Sequence, residues 1–305
     1  MAKNHSDNIV NSSVSVVMAT YNGGKFLEEQ ISSILQQDLS ASEIIVCDDC
    51  SDDDTPVILK SYAEKGKLKY HANSQRLGVI DNFKRAASFA CKDNYIAFSD
   101  QDDIWLPEKL KLSMHYLQEN EKSGGPCLVY SDPQVINRSG DKISDSLWNI
   151  LGYDQYEHNL ETIIYVNPAG GCTMLINPEL AAYVNTIPSD CYMHDAWLTL
   201  CAYTFGHAAI VPGPLIKYRQ HENNVTFSTA YRSKGRIARI LNEIAESLNG
   251  GSNILKKQFI LIRQFYECFY QDIDASKKSL FERFLALEGK SYLTQKIAIR
   301  KALKR

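Results

Sequence analysis

Residues 94–103 read NYIAFSDQDD, an apolar stretch that ends directly in three acidic residues. The same design recurs earlier in the chain, in VSVVMAT at 14–20 and EIIVCDD at 43–49, and LKYHA at 68–72 is a further short run. Runs of this length that are rich in Val, Ile and aromatic residues are typical of buried strands. We therefore predict four strands within the first 100 residues.

Helical periodicity fills the intervals around these four strands. Apolar residues recur every three to four positions near 24–37, 55–65, 79–91 and 107–120. Strands that alternate with helices form right-handed crossovers and a parallel sheet covered on both faces. Ligands of such sheets bind beyond the carboxyl ends of the strands. We expect the polar residues after the first, second and fourth strands to converge on one crevice.

The pattern becomes looser beyond residue 131. Short strands are predicted at 160–166, 172–176 and 208–219, with a helix near 194–205, and we expect them to extend the sheet in antiparallel fashion. The expected fold class is α/β, a mixed sheet flanked by helices. It would form a domain of residues 1–231, followed by a basic, mostly helical C-terminal region of residues 232–305.

The composition is that of a folded chain of 305 residues, 44% of them hydrophobic and 23% charged. These proportions exclude disordered and collagen-like proteins. The sequence lacks an uncharged apolar run of about 18 residues, which argues against a membrane-spanning helix. Its first residues also lack the apolar block of a secretory signal, so we expect a cytoplasmic protein.

Eight cysteines are expected to be reduced thiols, because a chain of this length does not need disulfides for stability. Cys47 and Cys50 have the C-x-x-C spacing of some zinc and redox sites. Zinc would need a second ligand pair, which does not follow. Five aspartates lie between or just after the two thiols and should raise their pKa values. We interpret the spacing as incidental.

The net charge of −3 argues against a nucleic-acid-binding protein, but it hides an asymmetry. Residues 232–305 carry 16 Lys and Arg against 7 Asp and Glu, a net charge of +9, so residues 1–231 carry −12. Apolar residues recur at helical spacing in two stretches of this basic region, and residues 249–252 predict a hinge or tight turn between them. The apolar positions are Ile237, Ile240, Leu241, Ile244 and Leu248, and then Phe259, Ile262, Phe265, Tyr266 and Phe269. The basic region is either a helical hairpin packed on the body or a basic amphipathic face that rests on an anionic membrane surface.

Asp100, Asp102 and Asp103 would repel one another at the end of a buried strand unless a cation neutralised them. Carboxylate oxygens suit Mg²⁺ or Mn²⁺, and Mg²⁺ usually completes its shell with substrate phosphates and water. This pattern favours a nucleoside diphosphate as the ligand. The alternative is a solvated turn that caps the helix entered at Pro107.

Residues 14 to about 222 resemble family 2 glycosyltransferases with the GT-A fold. The motifs that carry the resemblance are VSVVMATYNGGKFLEEQISSIL, EIIVCDDCSDDDT, NSQRLGVIDNFKRA, YIAFSDQDDIW, HDAW and YRQHENN, in that order. SDQDDIW and YRQHENN are most similar to the rhamnosyltransferase branch. The resemblance implies a donor such as dTDP-L-rhamnose or a UDP-hexose, and an acceptor that is a surface polysaccharide or a lipid-linked saccharide.

The resemblance also implies roles for individual residues. Asp49 would accept a hydrogen bond from the pyrimidine imide, Asp100 would contact the ribose, and Asp102 with His221 would hold Mn²⁺ or Mg²⁺. Asp48 and Asp103 are expected to be structural. The full set expected to bind the nucleotide sugar is Thr20, Tyr21, Asn22, Asp49, Arg76, Gly78, Asn82, Asp100 and Gln101.

Asp195 is the residue that the resemblance identifies as the general base of an inverting transfer. His194 replaces the acidic neighbour usual in the family, and His194 or the ring of Trp197 could contact a sugar. Packing in the core is an equally open role for Trp197. The position of Asp195 near a helix N-terminus would help to keep it ionised. The alternative is that Asp195 only caps this helix.

Two functions of other classes remain open from the sequence. A haloacid-dehalogenase-type phosphohydrolase also has D-x-D after a strand, but on its first strand rather than its fourth. A noncatalytic protein that binds nucleotide sugars would share the pocket without the reaction. Dehydrogenase and P-loop functions are excluded, because neither glycine motif follows the first strand.

Overall fold

The computed structural model describes residues 13–222, 224 and 255–303. The first four strands and helices lie within one to three residues of their predicted bounds. The strands are β1 (Val14–Thr20), β2 (Glu43–Asp48), β3 (Lys69–Ala72) and β4 (Tyr95–Ser99), and the helices are α1 (Gly24–Leu35), α2 (Thr55–Glu64), α3 (Val79–Ser88) and α4 (Lys109–Asn120).

The remaining elements are shorter, except at the C-terminal end. The strands are β5 (Ile104–Trp105), β6 (Cys127–Tyr130), β7 (Gln134–Ile136), β8 (Lys142–Ser144), β9 (Leu175–Ile176), β10 (His207–Ile210) and β11 (Ile216–Arg219). The helices are α5 (Leu147–Leu151), α6 (Leu160–Ile163), α7 (Pro178–Ala181), α8 (His194–Phe205), α9 (Lys256–Cys268), α10 (Ala275–Leu285) and α11 (Tyr292–Ala302).

A seven-stranded sheet in the order β10-β6-β9-β4-β1-β2-β3 forms the centre of the protein. The first four strands are parallel, and β9 is antiparallel to β4 and β6. A second sheet has the strand order β5-β11-β7-β8. The α/β class with a mixed sheet flanked by helices is therefore confirmed.

Three strand predictions in the second half need correction. Residues 160–163 form a helix instead of a strand, because Asn159 and Thr162 make a reciprocal capping box at its start. The strand at 172–176 shrinks to Leu175–Ile176 behind a tight turn. The strand at 208–219 is two strands, since a turn with Gly213 at a φ of 78° separates them.

Apolar residues cover both faces of the main sheet. One face packs against α1, α2 and α4, and the other packs against α3, α8 and the C-terminal helices. Phe265 of α9 meets Trp197 of α8 at 5.3 Å between ring centroids. The C-terminal region is therefore packed on the body at α9. The predicted apolar positions between 237 and 248, the predicted turn at 249–252 and the predicted boundary after 231 lie outside the described residues.

None of the helices described in the structure is both long enough and apolar enough to span a bilayer. The eight cysteines are free thiols, as expected. Cys47 is buried within β2, and this burial raises the pKa of its thiol to about 11, whereas Cys50 is exposed in the following loop. A thiol with so high a pKa is a poor nucleophile at neutral pH.

Candidate functional site

The carboxyl ends of three strands meet at one edge of the main sheet, as the sequence predicts. β1 lies between β2 and β4, with Thr20 opposite Asp48 and Met18 opposite Ser99. The loops that follow these strands therefore share one crevice. The carboxylate of Asp48 accepts hydrogen bonds from the Thr20 hydroxyl and from Ser51, so it braces two strand ends.

The side-chain amide of Gln101 pairs with the backbone of Tyr21 in both directions. Oε1 of Gln101 accepts from the Tyr21 N–H at 2.8 Å, and Nε2 donates to the Tyr21 carbonyl at 3.0 Å. A Cβ on Gly23 would lie 2.2 Å from this Oε1, so any larger residue there would displace the Gln101 side chain. Gln101 thus joins the loops that follow β1 and β4, and these two bonds occupy its amide.

Asn22 makes a similar connection between the loops that follow β1 and β2. Its φ is 50°, in the left-handed region that Asn tolerates better than most residues. Its backbone N–H donates to the Ser51 hydroxyl at 2.8 Å, and its side-chain Oδ1 accepts from the Asp52 N–H at 3.0 Å. Asn22 therefore shapes the wall of the crevice.

Asp49 is buried, and its carboxylate organises the loop of residues 73–78. Oδ1 accepts from the Leu77 N–H at 2.7 Å and from the Asn73 side chain at 2.9 Å, and Oδ2 accepts from the Gly78 N–H at 2.8 Å. A carboxylate offers about four acceptor positions. These three bonds leave room for the base contact that the sequence predicts, although the sequence did not reveal this structural role.

Asn82 and Gly78 fix the same loop from the side of α3. The Asn82 side chain donates to the Cys47 carbonyl at 2.9 Å and accepts from Asn73 at 2.9 Å, so it connects the loop to the end of β2. Gly78 has a φ of 81°, which L side chains rarely adopt. Glycine is required at position 78 by this backbone conformation and not by lack of space, since no described atom lies within 4 Å of an added Cβ.

Arg76 and Tyr21 stack at the mouth of the crevice. The guanidinium carbon of Arg76 lies 3.6 Å from the centroid of the Tyr21 ring, within cation–π range. Both side chains are exposed. The pair joins the loop after β1 to the loop of residues 73–78, and it presents a flat surface on which a planar base could stack.

Asp100 lies at the end of β4, where other acidic groups surround it. Burial and the neighbouring carboxylates of Asp102 and Asp195 raise the pKa of Asp100 to about 7. Ligand atoms of Asp100, Asp103 and Cys172 lie within 4.8 Å of one another. Burial raises the pKa of the Cys172 thiol well above its ordinary value, so the thiol is protonated and is a poor ligand for Mg²⁺ or Mn²⁺.

Asp102 and His221 form a better candidate cation site. Oδ2 of Asp102 lies 2.8 Å from Nε2 of His221, and both side chains are buried. Two neighbouring ligands of an octahedral ion, each at 2.0–2.1 Å, would be about 3.0 Å apart. In this structure the two atoms are hydrogen bonded to each other, so a cation would have to replace this bond. A carboxylate oxygen and a neutral imidazole nitrogen are ligands that suit Mn²⁺ better than Mg²⁺.

Arg219 positions both members of this pair, a role that the sequence did not reveal. Its Nε donates to the Asp102 carbonyl at 2.8 Å, and its backbone N–H donates to Asp103 Oδ1 at 3.0 Å. Its guanidinium also forms an ion pair with Glu29 of α1 at 2.5 Å. Because Arg219 is the last residue of β11, these contacts bring the following His221 back to the end of β4.

Asp195 is the second residue of α8 and is nearly buried. Its carboxylate accepts from the Gly171 N–H at 2.9 Å and from the Asn167 side chain at 3.0 Å. Burial raises the pKa of Asp195 to about 6, although these donors oppose the shift. The group is therefore mostly ionised at neutral pH and can take a proton. Asn167 and Gly171 were missed because only the fold brings them here.

Of the two roles left open for Trp197, the structure shows packing and not a sugar contact, because its ring is fully buried against Phe265 of α9 and Phe269 just after that helix. Its indole N–H donates to the Thr186 hydroxyl. His194 is also nearly buried, with its ring centroid 4.3 Å from that of Phe83. Burial lowers the pKa of His194 to about 4, so the residue is neutral and packs beneath the site.

Comparison with known families gives a match to the model described as Glycosyl transferase family 2, over residues 15–178. The matched stretch spans β1 to the start of α7. It includes the ends of β1, β2 and β4 that form the crevice described above.

Among curated proteins, the chain is similar to a dTDP-rhamnosyl transferase, RfbG, of Shigella flexneri. The two are 28% identical over 252 residues, which cover 72% of this chain and 78% of the relative. It is also 30% identical over 126 residues to WfgD of Escherichia coli, described as a UDP-Glc:alpha-D-GlcNAc-diphosphoundecaprenol beta-1,3-glucosyltransferase. That match covers 41% of this chain and 47% of the relative.

Among solved structures, the chain resembles S. aureus TarS 1-349 in complex with UDP-GlcNAc. The TM-score is 0.54 at 20% identity, and the match covers 95% of this chain and 79% of that one. At this identity the likeness concerns the fold, and it confirms the GT-A architecture expected from the sequence.

Proposed function

The chain belongs to glycosyl transferase family 2, and from that membership we propose that it moves a sugar from a dTDP- or UDP-linked donor to a saccharide hydroxyl. The names of its relatives support both donor types. The preferred donor is dTDP-L-rhamnose, because the match to the rhamnosyl transferase covers more of this chain. The proposed acceptor is a surface polysaccharide or a lipid-linked saccharide, as the name of the glucosyltransferase supports.

Asp195 would act as the general base of a single displacement. Its carboxylate would take the proton of the acceptor hydroxyl as that oxygen attacks C1 of the donor sugar. The bond from C1 to the nucleoside diphosphate breaks in the same step, so the anomeric configuration inverts and no covalent glycosyl-enzyme forms. A pKa of about 6 suits this role, since a base near the working pH accepts a proton efficiently.

Asp102 and His221 would hold the divalent cation. When bound there, Mn²⁺ or Mg²⁺ supplies positive charge opposite the departing diphosphate. Asp100 would bond the ribose, and Asp49 with Arg76 would recognise the pyrimidine. The rest of the predicted set would hold the loops of the donor site in place, and their hydrogen bonds within the protein support this role. These residues are Thr20, Tyr21, Asn22, Gly78, Asn82 and Gln101.

One observation carries this proposal. Asp195, from the second half of the chain, is held by two N–H donors and lies close enough to Asp100 to raise the pKa of that carboxyl group. A proton acceptor and the predicted donor-binding carboxylates therefore share one crevice. A protein that only binds nucleotide sugars would not need a buried carboxylate with a raised pKa there.

The direct test is a transfer assay with purified protein, dTDP-L-rhamnose or UDP-hexoses, saccharide acceptors and Mn²⁺. We expect release of the nucleoside diphosphate that depends on the acceptor, and a product of inverted anomeric configuration by NMR. Thermal shift measurements on the same donors report binding separately, because a ligand at 100 times its Kd adds about 2.7 kcal/mol of stability. Donor binding with no transfer to any acceptor would instead favour the noncatalytic alternative.

We further propose that the protein works at the cytoplasmic face of the membrane. On α11, Leu293 and Ile297 are 65% and 45% exposed, and Arg300 and Lys301 follow on the same side. Apolar residues flanked by cations suit an anionic lipid surface. Deletion of residues 232–305 is a poor test, since it would uncover Trp197. We expect Leu293→Ser with Ile297→Ser to weaken binding to anionic vesicles, and unchanged binding would contradict this placement.

A further inference from the structure

Phe26, in the first turn of α1, connects that helix to the proposed cation site. Its ring stacks on the ring of His221, with 5.0 Å between the centroids and 30° between the planes. The guanidinium carbon of Arg219 lies 4.8 Å from the Phe26 centroid, and Nζ of Lys25 lies 5.3 Å from it. The Phe26 ring therefore holds three basic side chains beside the pair of Asp102 and His221.

Basic groups also surround Glu222, the residue that follows His221. Arg138 forms an ion pair with the Glu222 carboxylate. A hydrogen bond from its own backbone N–H lowers the pKa of Glu222, and the charges of Arg138, His221 and Lys25 lower it further. Two separate observations, the contact with Phe26 and the effect on Glu222, therefore place the Lys25 ammonium group close to His221.

Within the described residues, the charge of Lys25 is not offset by an ion pair, and its side chain is exposed. By contrast, Arg219 is paired with Glu29 and Arg138 is paired with Glu222. The first turn of a helix is also an unfavourable place for a cation, and α1 has no acidic residue there. The Lys25 ammonium group is therefore available to an anion that binds beside His221.

The Lys25 side chain is also able to follow such an anion. A lysine ammonium group stands on a flexible four-carbon stem and has three N–H donors. Its contact with the Phe26 ring is weak at an exposed site, whereas a hydrogen bond between an ammonium group and a phosphate oxygen is strong. A phosphate that binds near Asp102 and His221 would therefore draw Lys25 away from the ring.

Lys25 lies at the diphosphate end of the proposed donor site. The pyrimidine is assigned to Asp49 and Arg76, which belong to the loops after β2 and β3. His221 is assigned to the cation that accompanies the diphosphate. Because Lys25 and His221 contact the same Phe26 ring, Lys25 is placed to meet the phosphates and not the base.

We propose that Lys25 binds the terminal phosphate of the nucleoside diphosphate, in the donor and in the departing product. The inference rests on the proposed function and adds a catalytic residue to it. The bond between C1 and the phosphate oxygen breaks with its electron pair on that oxygen, the acceptor oxygen bonds to C1, and the acceptor proton passes to Asp195. Lys25 keeps its own protons, and its charge offsets the negative charge that develops on the leaving phosphate.

The test compares binding of dTDP with binding of dTMP, which lacks only the terminal phosphate. Calorimetric titrations in the presence of Mn²⁺ use the full chain and the variants Lys25→Met and Lys25→Arg. Lys60→Met is the matched control, because Lys60 is exposed in the middle of α2. UDP and UMP replace the thymidine nucleotides if the parent protein binds uridine nucleotides more tightly.

We expect Lys25→Met to weaken dTDP binding about tenfold or more, the effect of one lost charge-assisted hydrogen bond, and dTMP binding less than about threefold. Lys25→Arg should stay within about threefold of the parent, since guanidinium keeps the charge and the donors. Lys60→Met should stay within about twofold. Unchanged dTDP binding in Lys25→Met, an equal loss for dTDP and dTMP, or an equal loss in Lys25→Arg would overturn the proposal.

A titration with Mn²⁺ alone tests for an indirect effect through Phe26 and His221. Lys25→Met should bind Mn²⁺ at least as tightly as the parent, because the variant removes a positive charge from the neighbourhood of the cation. Weaker Mn²⁺ binding in Lys25→Met would mean that Lys25 only supports His221, and would also overturn the proposal.

The parent protein separates this inference from the proposed function. If the parent binds dTDP or UDP and Lys25→Met binds it equally well, only the assignment of Lys25 fails. If the parent binds neither nucleotide in the presence of Mn²⁺, the proposed function itself fails.

Discussion

Two parts of the crevice use their polar residues in opposite ways. In the donor rim, defined as residues 20–24, 49–52, 73–78 and 101, polar groups bond to the protein itself at distances of 2.7–3.0 Å. In the reaction centre, defined as Asp100, Asp102, Asp195 and His221, carboxylates lie close together in a buried setting. Burial raises the pKa of Asp100 to about 7 and of Asp195 to about 6.

The difference indicates that the donor rim maintains the shape of the crevice, whereas the reaction centre carries the groups that act on the substrate. Most polar groups of the rim have a partner within the protein before any ligand binds, although Oδ1 of Asn73 has none. Mutation of the paired rim residues should therefore loosen loops and weaken donor binding modestly. Ionised carboxylates in the reaction centre cost free energy in the folded protein, and such a cost is typical of groups that act on a substrate. The predictions below test whether the two parts respond as differently as their contacts indicate.

The largest effect is expected from Asp195→Asn. The amide cannot accept the acceptor proton, so kcat for transfer should fall about 10²- to 10⁴-fold, the usual contribution of general base catalysis. Donor affinity should change much less, because Asp195 is not among the residues proposed to bind the donor and affects Asp100 through the pKa of that carboxyl group. A transfer assay with parallel donor titration measures both. The exposed Asp190→Asn is the matched control, and retained activity within a few-fold of the parent would remove the base assignment.

The same substitution should stabilise the protein at neutral pH. A carboxyl group whose pKa rises on folding costs stability wherever it is ionised, so the cost is present in full above pH 6 and is lost as the pH falls toward 4. A shift from about 3.9 to about 6 corresponds to about 2–3 kcal/mol. Urea unfolding of Asp195→Asn at pH 7.5 should show part of this gain.

The gain should shrink between pH 6 and pH 4, while Asp190→Asn shows no such trend. A variant that is less stable than the parent at pH 7.5 would mean that the bonds to Asn167 and Gly171 outweigh the cost of burial. The reaction centre would then resemble the donor rim, and the contrast between the two would fail.

His221→Ala should weaken Mn²⁺ binding at least about tenfold, because it removes one of the two protein ligands proposed for the cation. Calorimetric titration with Mn²⁺ alone measures this effect without donor or acceptor. His115→Ala is a suitable control, since His115 is exposed on α4. Equal Mn²⁺ affinity in both variants would show that Asp102 and His221 form only a hydrogen bond.

The strands and helices in the first half of the chain could be predicted from the sequence, because the apolar residues of each recur at the period of a strand or a helix. The bounds of β1 to β4 and of α1 to α4 follow from that alternation, and their order predicts which ends converge. The helix at 194–205 was also found at its observed position. Roles for Asp195 and Asp102 could be proposed because each lies in a motif that resembles family 2 glycosyltransferases, HDAW and YIAFSDQDDIW.

Other parts of the site carry no local signal. β9 has only two residues, too few for any periodicity. It follows a segment that contains Asn167, Gly171 and Cys172, and only the folded structure brings this segment to the crevice. The sequence left the role of Trp197 open between packing and a sugar contact, because only α9, about 60 residues later, shows which face of α8 is covered. The hydrogen bonds to the side chains of Asp49 and Gln101 could not be predicted either, because they depend on loop conformations that the sequence does not reveal.

The smallest effect is expected in the donor rim, at the contact of Gln101 with Tyr21 and Gly23. Gln101→Ala removes two hydrogen bonds from a partly exposed site and should cost about 1 kcal/mol of stability, with a small rise in donor KM and no change in kcat. Gly23→Ala should cost about 1–3 kcal/mol, because its methyl group would overlap the Gln101 side chain.

The double variant distinguishes packing from backbone strain at Gly23. Without the Gln101 side chain the methyl group has space, so the combined cost should be less than the sum of the single costs by about 1 kcal/mol. Simple additivity in urea unfolding would mean that Gly23 is required by the entry into α1 and not by Gln101. The loops after β1 and β4 would then be held independently, and the donor rim would be two separate structures.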